Sequence, residues 1–151
     1  MNMVINMSKK QFYTLSFTWG LPMTLIGCIV ALALFITGHK PKKYGYCIYF
    51  EVGTGWGGVS FGPVMVTNKR PSTHLKNHEH GHALQNCYWG FLMPFAIGLP
   101  SAIRYWYREY LIKTKQTTRS SLPKYDNIWF EGDATKRGTE FMNSLGENNG
   151  N

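Results

Sequence analysis

A long stretch without any charged side chain, from Gln11 to Gly38, most constrains what this chain can fold into. Its apolar core begins at Trp19, and about 20 predominantly apolar residues in a helix suffice to cross a bilayer. Lysines flank both ends of the stretch: Lys9, Lys10, Lys40, Lys42 and Lys43. The sequence therefore predicts an N-terminal segment, residues 1–39, that contains one membrane-spanning helix.

Two alternatives to this anchor are a cleaved signal peptide and a buried core helix. A signal peptide has an apolar region of roughly 7 to 15 residues followed by a small-residue cleavage site, whereas this run is longer and ends in a lysine-rich segment. The lysines are more numerous on the C-terminal flank. By the positive-inside rule we expect a single-pass protein of the cell membrane, with the rest of the chain in the cytoplasm.

The composition of the 151-residue chain fits one modest domain beyond this anchor. The net charge of +8 raises the question of nucleic-acid binding, but no helix-turn-helix, zinc-knuckle or RNP pattern is present. The predicted partners are a lipid bilayer and no nucleic acid. The cysteines, Cys28, Cys47 and Cys87, lie far apart and form no C-x-x-C, so no disulfide framework is expected.

Strand-like sequences precede and follow a glycine-rich break. Residues 46–52 and 59–67 are rich in β-branched and aromatic side chains, and residues 53–58 carry four glycines. This pattern predicts a β-hairpin, with Pro63 confining the second run to an edge or a bulge. The glycine string opens no helix and lacks the Lys-Ser/Thr of a phosphate-binding loop, which favours a turn.

Helical signals dominate the remainder of the chain. Ser72 or Thr73 is suited to cap a helix that runs to about Tyr88 and stops at Gly90. The apolar segment 91–103 is short and broken by prolines, so it is not expected to cross a bilayer. Further helices are predicted at 104–112 and 126–141. The fold class is therefore α+β, with a domain at 40–142 and a disordered tail at 143–151.

The string of residues 77–85 contains the pattern H-E-x-x-H. On a helix His78 and His82 lie one turn apart on the same face, and two imidazoles at that spacing can bind one zinc ion at about 2.0–2.1 Å. Glu79 can reach a zinc-bound water without being a ligand and act as general base. Gly81 costs about 1 kcal/mol relative to alanine in a helix, which indicates that another backbone or a substrate approaches closely.

A catalytic zinc site needs a third protein ligand. His74 would lie about 12 Å along the helix axis from His82, too far to share an ion, and His80 points to the opposite side, where packing is expected. The acidic candidates are Glu109, Asp126, Glu131, Asp133 and Glu140. Glu131 and Asp133 would leave a helix about 200° apart, so only one of them can face the metal.

The pattern H-E-x-G-H followed by E-x-x-A resembles the gluzincin branch of zinc metallopeptidases. It is most similar to the membrane-anchored CAAX prenyl proteases and membrane heat-shock proteases, and to small uncharacterised bacterial membrane proteins of minimal-zincin type. The resemblance implies a zincin-like domain with Zn²⁺ bound by His78, His82 and Glu131, with Glu79 as the catalytic base and a peptide or protein as substrate. It departs at Thr135, where gluzincins often carry an aspartate.

Two functions follow as hypotheses. The first is a membrane-anchored zinc metallopeptidase, whose oxyanion-stabilising residue is unassigned, with Tyr125 and Tyr105 as candidates. The second is a membrane-anchored interaction module in which zinc only holds a small domain together. Structural zinc is usually closed by four Cys or His ligands, and the cysteines are not at ligand spacing. Glu79 would also have no task in a structural site, so the sequence favours the enzyme.

Overall fold

A computed structural model describes residues 7–148 of the chain. These residues form five α-helices and a four-stranded mixed sheet, which confirms the α+β fold class. The helices are α1 (Lys9–Phe17), α2 (Leu21–Ile36), α3 (Thr73–Trp89), α4 (Leu99–Lys113) and α5 (Trp129–Asn148). The strands are β1 (Lys42–Tyr44), β2 (Cys47–Glu51), β3 (Gly58–Phe61) and β4 (Val64–Thr67).

The sheet has the strand order β1-β2-β4-β3. β1 pairs with β2 and β3 with β4 in antiparallel fashion, whereas β2 and β4 are parallel. The predicted hairpin between residues 46–52 and 59–67 is therefore wrong. The second run reverses on itself at Gly62, whose φ of +60° suits glycine, and Pro63 lies in that turn. This reversal leaves β3 at one edge of the sheet.

Helix α3 has the boundaries that its capping residues predict. Ser72 lies before the first turn and its hydroxyl accepts a hydrogen bond from the Leu75 amide at 3.1 Å. Gly90 ends the helix with a φ of +54°, a conformation that glycine adopts at little cost. Residues 77–87 are buried throughout, so the H-E-x-x-H segment belongs to the interior and not to a solvated helix face.

Two glycines allow α3 and α5 to approach backbone to backbone. A β-carbon on Gly81 would overlap the carbonyl of Ala134, and one on Gly138 would overlap the carbonyl of Asn77. The expectation that Gly81 accommodates another backbone is confirmed. This contact fixes the distance between the helix that carries His78 and the helix that carries Glu131.

The N-terminal segment packs on the same body as the rest of the chain. Phe12 and Ser16 of α1 are fully buried, and Ser16 lies 3.5 Å from the thiol of Cys87 in α3. Gly27 of α2 lies against the carbonyl of Phe61 in β3. Helix α1 thus contributes a large apolar side chain to a core that it shares with the sheet, α3 and α5. The domain boundary after residue 39 stays a prediction.

Most of the surface of α2 is apolar and exposed. Its 16 residues span about 24 Å, which is less than the roughly 30 Å of a bilayer core. Within residues 7–148 no single helix has both the length and the apolar character for a membrane span, and α1 and α2 reach this threshold only as a pair bent by 94°. The single-pass anchor stays a prediction.

The last helix is longer than the sequence indicates. We expected a disordered tail from residue 143, but α5 continues to Asn148, so this expectation is wrong for residues 143–148, and 149–151 lie outside the described residues. The segment before α4 forms a 3-10 turn at Gly90–Leu92 and a π-helical turn at Pro94–Gly98. These short turns agree with the prolines that interrupt its sequence.

Candidate metal centre

Three buried side chains from α3 and α5 converge on one point. The Nε2 atoms of His78 and His82 lie 3.2 Å apart, and each lies 3.1 Å from Oε2 of Glu131. All three residues are less than 9% exposed, and Glu131 is fully buried. The structure thus brings together the three predicted metal ligands, which form a metal-capable group among the described residues.

Gln85 determines which ring nitrogen of His82 carries the proton. The amide nitrogen of Gln85 donates to the Phe130 carbonyl and to Asp133, both at 2.8 Å. Its oxygen, 2.8 Å from Nδ1 of His82, is therefore the acceptor of that contact. His82 carries its proton on Nδ1, and the lone pair on Nε2 points to the centre of the group.

A similar relay places the proton of His78. The hydroxyl of Thr135 donates to Oδ2 of Asp126 at 3.1 Å and lies 2.7 Å from Nδ1 of His78. Since its only proton goes to Asp126, the hydroxyl accepts from Nδ1, which leaves Nε2 of His78 with a free lone pair. Thr135 occupies the position at which gluzincins often carry an aspartate. Its hydroxyl connects His78 to the carboxylate of Asp126 through two hydrogen bonds.

The centre therefore holds three facing acceptors. Two imidazole lone pairs and a carboxylate oxygen at 3.1–3.2 Å repel one another unless a cation or a proton lies between them. Ligands at 2.0–2.1 Å from a tetrahedral zinc ion lie about 3.3 Å apart. The observed separations are close to this edge length, so the three atoms can occupy three corners of a zinc tetrahedron and leave the fourth for water.

The second oxygen of Glu131 is held by a residue of α4. Ser101 donates a hydrogen bond to Oε1 at 2.5 Å. Burial on its own raises the pKa of Glu131, but the adjacent imidazoles of His78 and His82 and the hydrogen bond from Ser101 hold this pKa well below its usual value. The side chain is thus an anionic donor, as metal binding requires.

Glu79 lies beside this group with an unsatisfied oxygen. It is 3% exposed, and its Oε2 has no hydrogen-bond partner among the described residues. A β-carbon at Gly58 of β3 would come within 2.7 Å of Oε1, so that glycine makes room for the carboxylate. Burial raises the pKa of Glu79, and the neighbouring histidines oppose this shift. A carboxylate with a raised pKa is suited to accept a proton from water.

The other acidic candidates lie outside the centre. Asp133 accepts from Gln85 and pairs with Arg137 at 2.6 Å, so it supports His82 indirectly. Glu109 pairs with Arg119 at the surface. Asp126 approaches His78 through Thr135, and His74 is exposed and 3.7 Å from Asp126.

His80 is a packing residue, as its helical position predicts. It is fully buried, its ring stacks between Phe12 and Phe141, and its Nε2 accepts from the Tyr46 amide at 3.2 Å. Burial lowers the pKa of this imidazole to about 4. His80 therefore stays neutral near pH 7, and it is not a member of the metal-capable group.

Of the two tyrosine candidates, Tyr125 lies nearer the centre. Its hydroxyl is 3.1 Å from Oγ of Ser101. Burial raises its pKa, and the charges of Glu131 and Glu79 add to this rise. Tyr105 packs edge-on against Trp106, and no hydrogen bond among residues 7–148 joins it to the three donors.

Sequence reasoning missed Gln85, Ser101 and the role of Thr135. Gln85 lies three residues after His82 and Thr135 four residues after Glu131, so helical spacing provides a signal for both. Ser101 follows an apolar segment on another helix, and only the tertiary structure brings it to Glu131.

No protein-family model, curated protein or solved structure matches this chain. The chemistry of the centre is therefore the basis on which a function can be argued.

Proposed function

We propose that the chain is a membrane-associated zinc hydrolase that cleaves peptide bonds. The observation that carries this proposal is that three acceptor atoms, on His78, His82 and Glu131, face one another. Both imidazoles carry their proton on Nδ1, so that each Nε2 presents a lone pair to this group. Two imidazoles and one carboxylate are a typical donor set of catalytic zinc, which keeps a fourth position for water. Bound zinc supplies a hydroxide near neutral pH.

Glu79 has the properties of a base for that water. It is adjacent in sequence to His78, it is not one of the three donors, and its Oε2 is unsatisfied in the described structure. A carboxylate oxygen that is buried without a hydrogen-bond partner costs free energy. A water molecule bound to the metal would provide that partner. Glu79 would take a proton from the attacking water and would return it to the amine nitrogen that leaves when the peptide bond breaks.

The free edge of β3 supports a peptide as the substrate. β3 pairs on one side with β4 and is the last strand of the sheet, and no backbone hydrogen bond from its other edge occurs within residues 7–148. An extended peptide can add to such an edge through its main chain. Gly58 of β3 adjoins Glu79, so a peptide bound there would pass the proposed base.

The apolar exterior supports association with a membrane. Large side chains of α2 are exposed: Leu25, Ile26, Ile29, Leu32, Phe35 and Ile36. Such a patch usually marks a protein or membrane contact. The single-pass topology and the cytoplasmic location of the centre stay predictions.

The alternative of a structural zinc site has less support. Structural sites normally have four protein ligands, whereas the metal-capable group among the described residues has three members. Cys47 and Cys87 are buried free thiols outside this group. An unsatisfied Glu79 beside the donors also has no role in a site that only holds the fold.

The variant Glu79→Gln separates the two functions. We expect it to keep zinc and to lose at least about 100-fold in zinc-dependent peptide hydrolysis, since the amide cannot accept the proton. The assay is mass-spectrometric cleavage of a proteome-derived peptide library by the full chain in detergent. Glu140→Gln, a change of the same type on α5, is the control. Unchanged hydrolysis in Glu79→Gln would contradict the proposed mechanism.

A further inference from the structure

Helix α4 carries its apolar side chains outward. Five large residues are between 55% and 67% exposed: Leu99, Ile103, Trp106, Tyr107 and Tyr110. At 100° per residue they fall on one side of the helix, and we call them the α4 stripe. A helix on the surface of a soluble protein normally packs such a stripe against the core. In α4 the apolar stripe is exposed instead.

The inner face of α4 is polar and holds the helix to the zinc centre. Ser101 donates to Glu131, Arg104 donates to the carbonyls of Lys124 and Tyr125, and Arg108 donates to that of Pro123. These three residues lie opposite the α4 stripe on a helical projection. The polar face of α4 therefore packs against the protein through these hydrogen bonds. The apolar face is left exposed and available to a binding partner.

The apolar exterior continues from α4 to α2. Phe91, Leu92 and Phe95, in the turns before α4, are at least half exposed. This segment packs on the first turns of α2, where Met23 joins Met93 and Ile97 in a cluster. The exposed faces of α2 and α4 are thus linked through one intervening segment.

We propose that the α4 stripe docks on the surface of a bilayer that contains anionic lipids. Trp106, Tyr107 and Tyr110 are residue types that prefer the membrane–water interface. Of the basic side chains in residues 99–124, Arg104 and Arg108 are used on the inner face. Lys113 and Lys115, at the C-terminal end of α4, are exposed, and Lys113 falls on the side of the stripe in a helical projection. These two lysines complement an anionic headgroup layer.

A second copy of the chain is the competing occupant, since the stripe has a spacing that also suits helix pairing. The bilayer is favoured because the apolar exterior extends beyond α4 to Phe91, Leu92, Phe95 and α2. A helix pair would cover only the stripe and leave the remaining patch in water.

Docking in this way defines the substrate class, which rests on the zinc hydrolase proposed above. Ser101 contacts Glu131 on one face of α4 while the stripe contacts lipid on the other. The metal centre then lies about one helix diameter, 10–12 Å, above the docking surface. The substrates are polypeptide segments that lie next to the membrane surface, and peptides free in solution are poorer substrates.

Spin labels on the full chain in vesicles test the docking. In a Cys28→Ala background, which removes the exposed thiol, single cysteines replace Tyr107 on the stripe or Lys136 on the exposed polar side of α5. The vesicles are phosphatidylcholine with about one-third phosphatidylglycerol. We expect the ratio of accessibility to oxygen over a water-soluble nickel complex to be several-fold higher at position 107, and to fall without phosphatidylglycerol.

Three results would overturn the docking. Equal ratios at 107 and 136 would place the stripe in water. A ratio at 107 that does not depend on phosphatidylglycerol would exclude the electrostatic contribution. Dipolar broadening between labels at 107 that disappears on dilution with unlabelled chain would assign the stripe to a second copy.

Controls keep the docking and the zinc hydrolase separable. Ile103→Cys and Tyr110→Cys repeat the measurement at two further stripe positions, so that one misfolded variant does not decide the result. The zinc content of the same samples reports on the centre independently. A lipid-exposed stripe without zinc would contradict the proposed function alone, and one zinc per chain with a water-exposed stripe would contradict the docking alone.

Discussion

The orientation of the two imidazoles is determined by residues that do not touch the metal position. Gln85 accepts from His82, and Thr135 accepts from His78 while it donates to Asp126. Partners of this type fix the tautomer of a ligating histidine and raise its basicity. The relay through Thr135 replaces the direct carboxylate contact expected at this position, and Asp126 supplies the negative charge one hydrogen bond further out.

Replacing Thr135 by valine tests this relay. Valine has nearly the same shape but cannot accept from Nδ1 of His78, so the imidazole loses its orientation and zinc affinity should fall by about 10–100-fold. Competition with a chelator measures the affinity. Thr139→Val, one helical turn further along α5, is the matched control and should bind zinc as the unaltered chain does. Equal affinity in both variants would exclude Thr135 from the support of the site.

His80 provides a pH-dependent test of the packing behind the centre. Its pKa is about 4 in the folded chain and about 6.5 in an unfolded one, so the unfolded state binds the extra proton between these values. The contribution of neutral His80 to stability is complete above about pH 6.5 and declines as the pH falls towards 4, by about 3 kcal/mol in total.

The variant His80→Gln isolates this effect, because glutamine can accept from the Tyr46 amide but does not titrate. Chemical unfolding of both proteins, with a chelator present to remove metal effects, measures the free energy of unfolding at each pH. We expect the difference between the two proteins to change between pH 6.5 and pH 4, with the histidine chain losing more stability. Parallel curves would show that His80 is not held in its neutral form.

At the scale of single residues, the sequence predicts the proposed donors better than their supports. The spacing of His78 and His82 follows from one helix, and the resemblance to gluzincins selects Glu131, which the structure brings to the same point. The contact of Ser101 with Glu131 could not be predicted from the sequence. It depends on how α4 packs, and no local sequence pattern indicates that packing.

Helices α3 and α5 form the frame of the centre, and their separation is set by glycines. A β-carbon on Gly81 or Gly138 would overlap the opposite backbone, so the helices can approach only because both side chains are absent. The three donors lie 3.1–3.2 Å apart across this contact, and any increase in the helix separation moves Glu131 away from both histidines.

Gly81→Ala should therefore lower zinc affinity as well as stability, although alanine is the better helix former by about 1 kcal/mol. Gly138→Ala should act in the same direction. Gly146→Ala, in α5 with open space around it, is the control and should leave zinc binding unchanged. Thermal unfolding and chelator competition measure the two effects. Normal zinc affinity in Gly81→Ala would show that the close approach does not position the donors.

Prediction at the level of elements was successful where local signals are strong. Ser72 and Gly90 mark the ends of α3, and the prolines of segment 91–103 predict its broken helix. The hairpin was wrong because Gly62 and Pro63 divide a run that looks continuous in its hydrophobicity. The parallel pairing of β2 with β4 is non-local, and no short-range pattern indicates it.

At the scale of the whole molecule, the proposed metal centre and the apolar exterior meet at α4. Its Ser101 contacts Glu131, while its outer face adds Trp106 and neighbouring residues to the exposed surface. The charge-free sequence stretch indicated a membrane contact, but it did not show that α1 packs into the core or that a second segment has an exposed apolar face. Both features depend on the tertiary fold.

The zinc content and zinc affinity of the purified full chain test the proposed metal centre most directly. We expect about one zinc per chain, loss of most of it in the double variant His78→Ala/His82→Ala, and a strong loss of affinity in Glu131→Gln. Asp133→Asn should have a milder effect, since Asp133 contacts Gln85 and Arg137. Stoichiometric zinc in the double variant, or a loss in Asp133→Asn without one in Glu131→Gln, would contradict the assignment of the centre.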